Sequence, residues 1–120
     1  MLGFKVLNRD NHIIGESIGR VVGLIGVSAE YIRLGLAESE TKLELISYRN
    51  PTGRPLHSNN ANDLGLRHLA LRVSDIEQIY SKLQLAGIEF FSTVHKYGKN
   101  KKLCYFHGPE GIILELAQYN

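Results

Sequence analysis

The clearest hydrophobic pattern lies in the second half of the chain. Ile76, Ile79, Tyr80, Leu83 and Ala86 recur at helical spacing, which gathers apolar side chains on one stripe. Ser74 with Glu77 three residues on has the form of a capping box, in which each side chain satisfies a free backbone N–H of the first turn. Gly87 closes the helix as a left-handed cap. Leu66 to Val73, ahead of the helix, is apolar with polar interruptions and reads as a strand. Ile88 to Val94, Lys102 to Phe106 and Ile112 to Gln118 read as three more. Turns fall at Tyr97–Lys101 and at Gly108-Pro109-Glu110-Gly111. The predicted order is βαβββ.

The first half repeats part of this unit. Leu43-Glu44-Leu45-Ile46-Ser47-Tyr48 and Leu114-Glu115-Leu116-Ala117-Gln118-Tyr119 share L-E-L-x-x-Y at an offset of 71 (115 minus 44). The same offset lays Ile32–Leu36 over Leu103–His107. Leu2–Val6 resembles Ala86–Phe90 at an offset of 84 (87 minus 3), so the first copy carries about 13 extra residues (84 minus 71), around Asn8 to Arg20. Gly3 is then the counterpart of Gly87, and the strand and helix that should precede it have no counterpart in this sequence. A start codon upstream of Met1 is compatible with that gap. The expected fold is α+β: a single domain over 1–120, with an incomplete first module at 1–49, a linker rich in Asn, Pro, Gly and Ser at 50–64, and a complete βαβββ module at 65–120.

Composition narrows the function classes. The chain has 120 residues, 43% hydrophobic and 22% charged, with 14 basic and 12 acidic residues. A formal charge of +2 gives no basis for binding nucleic acid or a membrane surface. The longest apolar stretch, near Val21 to Val27, is broken by Gly23 and Gly26 and falls short of the roughly 18–20 residues a spanning helix needs. One cysteine, Cys104, excludes an internal disulfide and a Cys-rich zinc module. The cytoplasm is the simplest compartment. Cys104 reads as a packed strand residue, because nothing near it argues for a lowered thiol pKa.

Glu44 and Glu115 hold the same position in the two copies, each between leucines. Strand alternation puts the leucines on one face and the Glu on the other. One such Glu is ordinarily a solvated carboxylate; two at matched positions make the functional reading equally strong. His68, in Leu66-Arg67-His68-Leu69-Ala70-Leu71, stands between apolar residues, where a histidine is most often structural. Two carboxylates and an imidazole brought together would suit a divalent first-row ion. Their separations of 24 and 47 residues (68 minus 44, 115 minus 68) make no local metal motif.

The run Gly65–Ile76, the later Gly87, and Gly108–Gln118 resemble the vicinal oxygen chelate superfamily, which holds glyoxalase I, methylmalonyl-CoA epimerase, extradiol dioxygenases and the bleomycin and fosfomycin resistance proteins. The opening Leu2-Gly3-Phe4 and the strand Lys42–Leu45 fit its first module. The resemblance implies paired βαβββ modules forming a curved mixed sheet around a cleft, usually completed in a homodimer. It implies metal ligands at Glu44, His68 and Glu115, holding one divalent ion (Zn, Ni, Co, Mn or Fe) or none, with Glu115 and Glu44 as catalytic bases. The fourth usual ligand has no residue here, and the turn departs from the common Asp-Pro-Asp-Gly. The implied activity is a metal-dependent glyoxalase or epimerase acting on a small oxygenated substrate through a chelated enediolate or enolate. The alternatives are a metal-free drug-binding protein and an extradiol dioxygenase; the last prefers two histidines, and only one matches. A drug-binding groove would draw on Tyr31, Tyr48, Phe106 and Tyr119.

Arg33 and Tyr105, read as matched strand positions, are candidates to line the cleft with His95. His95, Lys96, Lys99, Lys101 and Lys102 form the one dense basic patch and suit an anionic tail, such as a CoA phosphate or a glutathione carboxylate; solvated turn charges are the plainer reading. His12, His57 and His107 receive no role. Val21, Val22, Leu24 and Ile25 belong to the incomplete module and are expected to be poorly covered in a monomer. A homodimer buried through the first module follows. The family resemblance implies that the modules of one cleft can come from different chains, in which case Glu44 of one subunit would face His68 and Glu115 of its partner; same-chain pairing is the alternative.

Overall fold

The computed structural model describes residues 2–55 and 60–120. The protein is α+β, and the chain divides into two compact units that part after Pro55. Leu56 to Asn59, within the expected linker, lie outside the described residues, and His57 with them.

The first unit holds β1 (Lys5–Ile14), α1 (Glu16–Val22), β2 (Ser28–Gly35) and β3 (Lys42–Asn50). Its strands form an antiparallel sheet in the order β1-β2-β3. The extra residues of the first copy fall into two places. β1 runs on to Ile14 and slips register twice, between Val6 and Asn8 and between Asp10 and Ile13, and such bulges take up surplus residues while bending a strand. The remainder forms the two-turn α1, which was not foreseen in the sequence.

The second unit holds β4 (His68–Arg72), α2 (Ile76–Leu85), β5 (His95–Tyr97), β6 (Lys101–His107) and β7 (Ile113–Tyr119), with a 3₁₀ turn at Pro109–Gly111. The sheet order is β4-β7-β6-β5, with β4 parallel to β7 and the other pairs antiparallel. A parallel neighbour needs a crossover, and α2 with the segment after it supplies that connection. The core lies under this helix. Ile76 and Leu83 of α2 are buried, as are Cys104, Phe106 and Leu116 on the strands. Half-buried Phe90 packs beside them, between the rings of Tyr80 and Phe106.

Two expectations need correction. The helix opens one residue later than Ser74 would place it. Asp75 is the N-cap and accepts from the Gln78 N–H at 3.0 Å, while Gln118 Oε1 accepts from the Ile76 N–H at 2.8 Å. With those donors satisfied, Ser74 lies outside the helix and no capping box forms. The strand expected over Ile88 to Val94 is also mostly absent. Only Phe90 bridges Phe106, and Phe91 donates its N–H to the Tyr105 carbonyl at 2.9 Å before regular pairing resumes at His95. Adjacent Phe90 and Phe91 thereby contact rings on opposite faces of the sheet.

The internal repeat is visible in the backbone. Gly3 and Gly87 have φ of 79° and 83°, values that favour glycine, and each precedes the segment that pairs with its sheet's middle antiparallel strand. At the far end of α2 the Gly87 N–H reaches the Gln84 carbonyl and the Ile88 N–H reaches Leu83, a left-handed helix closure. The two L-E-L-x-x-Y runs fall on β3 and β7.

Candidate functional site

Pairing register decides which side chains share a face. Across β4, β7, β6 and β5, His68, Ala70 and Arg72 stand opposite Ile113, Glu115 and Ala117. Tyr105, Leu103 and Lys101 stand opposite Glu115, Ala117 and Tyr119, and His95 and Tyr97 continue the row. This is the face away from α2. Its central residues, Ile113, Glu115 and Ala117, are buried, while Arg72, Phe91, His107 and Tyr119 at its margins are exposed.

Glu115 is the centre of the cluster and only 4% exposed. Tyr105 donates its hydroxyl to Glu115 Oε2 at 3.0 Å. His68 Nε2 lies 3.3 Å from the same oxygen, and Lys101 Nζ lies 3.0 Å from Oε1. The ammonium is in ion-pair range but off the line of a hydrogen bond, so Oε1 keeps a buried acceptor position open. The His68 ring meets Tyr105 edge-on, with centroids 5.3 Å apart. Contact with Glu115 raises the Lys101 pKa against the opposing pull of desolvation. Burial, then the carboxylate it donates to, holds the Tyr105 phenol above its ordinary range. The cluster is a buried carboxylate with a cation, a phenol and an imidazole around it.

Glu44 occupies the same motif position in the first unit but a different setting. It stands directly opposite Arg33, whose guanidinium approaches Glu44 Oε1 to 2.6 Å and also lies 5.8 Å from the Tyr31 ring centroid. About two fifths of each charged side chain is exposed. The Arg33 pKa is raised by its hydrogen bond and charge contact with Glu44.

Among the described residues no three His, Cys, Asp or Glu side chains gather as a metal would require. His68 and Glu115 meet; Glu44 belongs to the other unit. Arg33 and Tyr105 are indeed matched positions, each opposite the motif glutamate of its sheet. The offset of 71 misses this by one, because it sets Arg33 over Cys104. His95 is exposed, lies on the Glu115 face by register, and makes no side-chain hydrogen bond among the described residues.

The basic patch does not act as one surface. Alternation sends Lys101 to Glu115 and Lys102 to Glu77 of α2, at 3.2 Å. Phe106 faces the core and lines no groove. Cys104 is buried as expected, and burial pushes its thiol up to about 11. Lys101 as partner of Glu115, and Arg72 and Phe91 on the same face, were not singled out from sequence. Alternation along Lys101, Leu103 and Tyr105 carried the signal for Lys101.

Two sheets that each carry an L-E-L-x-x-Y strand, with a helix packed on the second, make an α+β fold. The chain belongs to the Glyoxalase/Bleomycin resistance protein/Dioxygenase superfamily, whose family model matches residues 1–116. A glyoxalase family protein from Bacillus cereus is 29% identical, with a TM-score of 0.88 over 98% of this chain and 79% of that one. A glyoxalase family protein from Enterococcus faecalis is 26% identical, with a TM-score of 0.61 over 97% and 79%. An antibiotic-binding protein from Streptomyces, TnmS3, shares the fold at 18% identity, with a TM-score of 0.64 over 99% and 78%.

Proposed function

We propose that the chain binds a small molecule on the face carrying Glu115 and does so without a resident metal ion. One observation carries this reading: each motif carboxylate already has a cation of the chain's own beside it, Lys101 at Glu115 and Arg33 at Glu44. A divalent ion would have to displace the Lys101 ammonium from a nearly buried carboxylate, or sit within a few ångströms of it. Like charges so close repel, and a nearly buried carboxylate between them offers little solvent to screen that repulsion. Two nearby donors, His68 and Glu115, are also fewer than the three protein ligands usual for a catalytic metal. The donor set therefore fits a resident metal poorly. The Tyr105 hydroxyl, which can still accept, and the partly exposed His68 ring remain as groups that orient a polar ligand. Metal analysis after purification without chelator tests the reading. Substoichiometric metal, and no gain in melting temperature with Mn, Co, Ni, Zn or Fe, is the expected result.

The second reading is the metal-dependent glyoxalase or epimerase, with Glu44, His68 and Glu115 as ligands and the two glutamates as bases. The approach of His68 Nε2 to Glu115 at 3.3 Å favours it, since an imidazole and a carboxylate are adjacent. In a dimer with cross-chain sites, mixing Glu44→Ala and His68→Ala subunits would restore one intact site per mixed dimer. The extradiol reading has less support, because one histidine of the predicted set stands at the cluster.

A homodimer through the first unit is part of the proposal. Val21, Leu24 and Ile25 are exposed around α1, and Leu45 on β3 is 54% exposed. Such surface favours association, and light scattering at micromolar concentration reads it directly. No helix among the described residues is long and apolar enough to cross a membrane, and the lone thiol of Cys104 suits a reducing cytoplasm.

A further inference from the structure

We infer that the ligand of the Glu115 face is an aromatic carboxylate, its rings lying on Phe91, Tyr105 and His107 and its carboxylate held by Arg72 with Lys101. The inference rests on the small-molecule reading above and adds a ligand class to it.

Lys101 and Arg72 both stand on this face, and Glu115 is the one carboxylate that shares the register rows. Lys101 pairs with that carboxylate. Arg72 has no carboxylate partner among the described residues, and its side chain is exposed. Its contact is the Tyr119 ring, 5.8 Å from centroid to guanidinium, and Lys101 Nζ lies 5.4 Å from the same ring. Tyr119 is on the central strand and the two cations come from the strands on either side. A ring face attracts a cation but uses none of its N–H donors. The Arg72 fork is thus positioned yet unspent, and its geometry matches a carboxylate in a bidentate pair.

The other end of the face is aromatic. Phe91 is 47% exposed, although its neighbour Phe90 is half-buried on the other face against Tyr80 and Phe106. Its ring lies 4.5 Å from that of His107 and 6.4 Å from that of Tyr105, and Tyr105 continues the row to His68. Ala70, opposite Glu115, is exposed, so solvent reaches the β4 side of the face, while Ile113, Glu115 and Ala117 on β7 are buried. The Tyr105 hydroxyl and the Lys101 ammonium meet at the two oxygens of the Glu115 carboxylate, so a fused-ring body with a short acidic tail reaches from the rings to the cations. A cationic aromatic would be repelled by Arg72 and Lys101, and a neutral one would leave the Arg72 donors without a partner.

The test compares 1-pyrenebutyrate with 1-pyrenebutanol, an acid and a neutral alcohol on the same rings, by the pyrene emission spectrum in the presence of chelator. The chain has no tryptophan, so the protein contributes only weak tyrosine emission. The acid is expected to bind about tenfold or more tighter than the alcohol, the scale of one charge-assisted hydrogen bond. Arg72→Gln should remove most of that advantage and leave the alcohol unchanged, while Phe91→Ala weakens both. Both residues are exposed, and circular dichroism confirms that the variants fold. Equal binding of acid and alcohol, no binding of either, or an acid affinity unaltered by Arg72→Gln overturns the inference. Acid binding that returns only when a divalent ion is added overturns the metal-free reading instead, and the Arg72→Gln result then judges the anion site separately.

Discussion

The two sheets carry the same L-E-L-x-x-Y run and treat it in opposite ways. On β7 the glutamate is buried among Lys101, Tyr105 and His68; on β3 it is a half-exposed partner of Arg33. The leucines differ as well. Leu116 is fully buried and its counterpart Leu45 is 54% exposed. The strands are alike, and their neighbours are not. β7 has β6 on one side and β4 on the other, with α2 over its leucine face, whereas β3 pairs with β2 alone among the described residues. Burial of the motif is a property of what flanks it. The second sheet brings His68 to its glutamate because β4 is there to carry it.

The leucine pair offers the widest separation. Leu116→Ala should cost about 2–5 kcal/mol, as for other well-packed core leucines, and Leu45→Ala no more than about 1 kcal/mol. Urea unfolding followed by circular dichroism measures both, and equal costs would break the comparison. The glutamates come next. Glu115→Gln leaves Lys101 without its charge partner in a largely buried setting and should cost about 1–3 kcal/mol. Glu44→Gln, at an exposed pair, should cost less than about 1 kcal/mol.

Alkaline pH should separate the units again. Cys104, Lys101 and Tyr105 all have raised pKa values, and all lie in the second unit. A raised pKa means that the folded state holds its proton more tightly. The stability it contributes is complete below the ordinary value and is lost as pH rises through the folded one. For Cys104 that window runs from 9.0 to about 11. Urea midpoints should fall across it, and Cys104→Ala should remove part of the fall. Arg33, the raised group of the first unit, stays charged throughout that window. The smallest effect is on Cys104 labelling, which should be negligible for folded protein near neutral pH and rapid in urea.

Much of this contrast was legible from residue order. The repeat placed both glutamates on corresponding strands, and Gly3 and Gly87 marked the matching starts. The helix stripe through Ile76 and Leu83 foretold the covered face. The burial of Glu115 was not legible, since it depends on β4 lying parallel beside β7 and on a lysine reaching diagonally from four residues along β6. The end of β1 and the start of α1 were hidden for a different reason. Asn8-Arg9-Asp10-Asn11-His12 is wholly polar and carries no period-two signal, and the strand there is held by backbone pairing to β2. The helix start was misread because Ser74 and Asp75 are both good caps, and the choice between them was made by Gln118, 42 residues from Ile76.

Lys101 serving as the cation of Glu115 is what keeps a metal ion from the site. Cobalt(II) titration of the purified protein, read by its visible absorption bands, tests this directly. Wild-type protein at micromolar concentration should show no saturable cobalt spectrum, and Lys101→Met, with the ammonium gone, should bind the ion more tightly than wild type. Saturation of the wild type at one cobalt per chain, abolished by His68→Ala and by Glu115→Gln, would contradict the account.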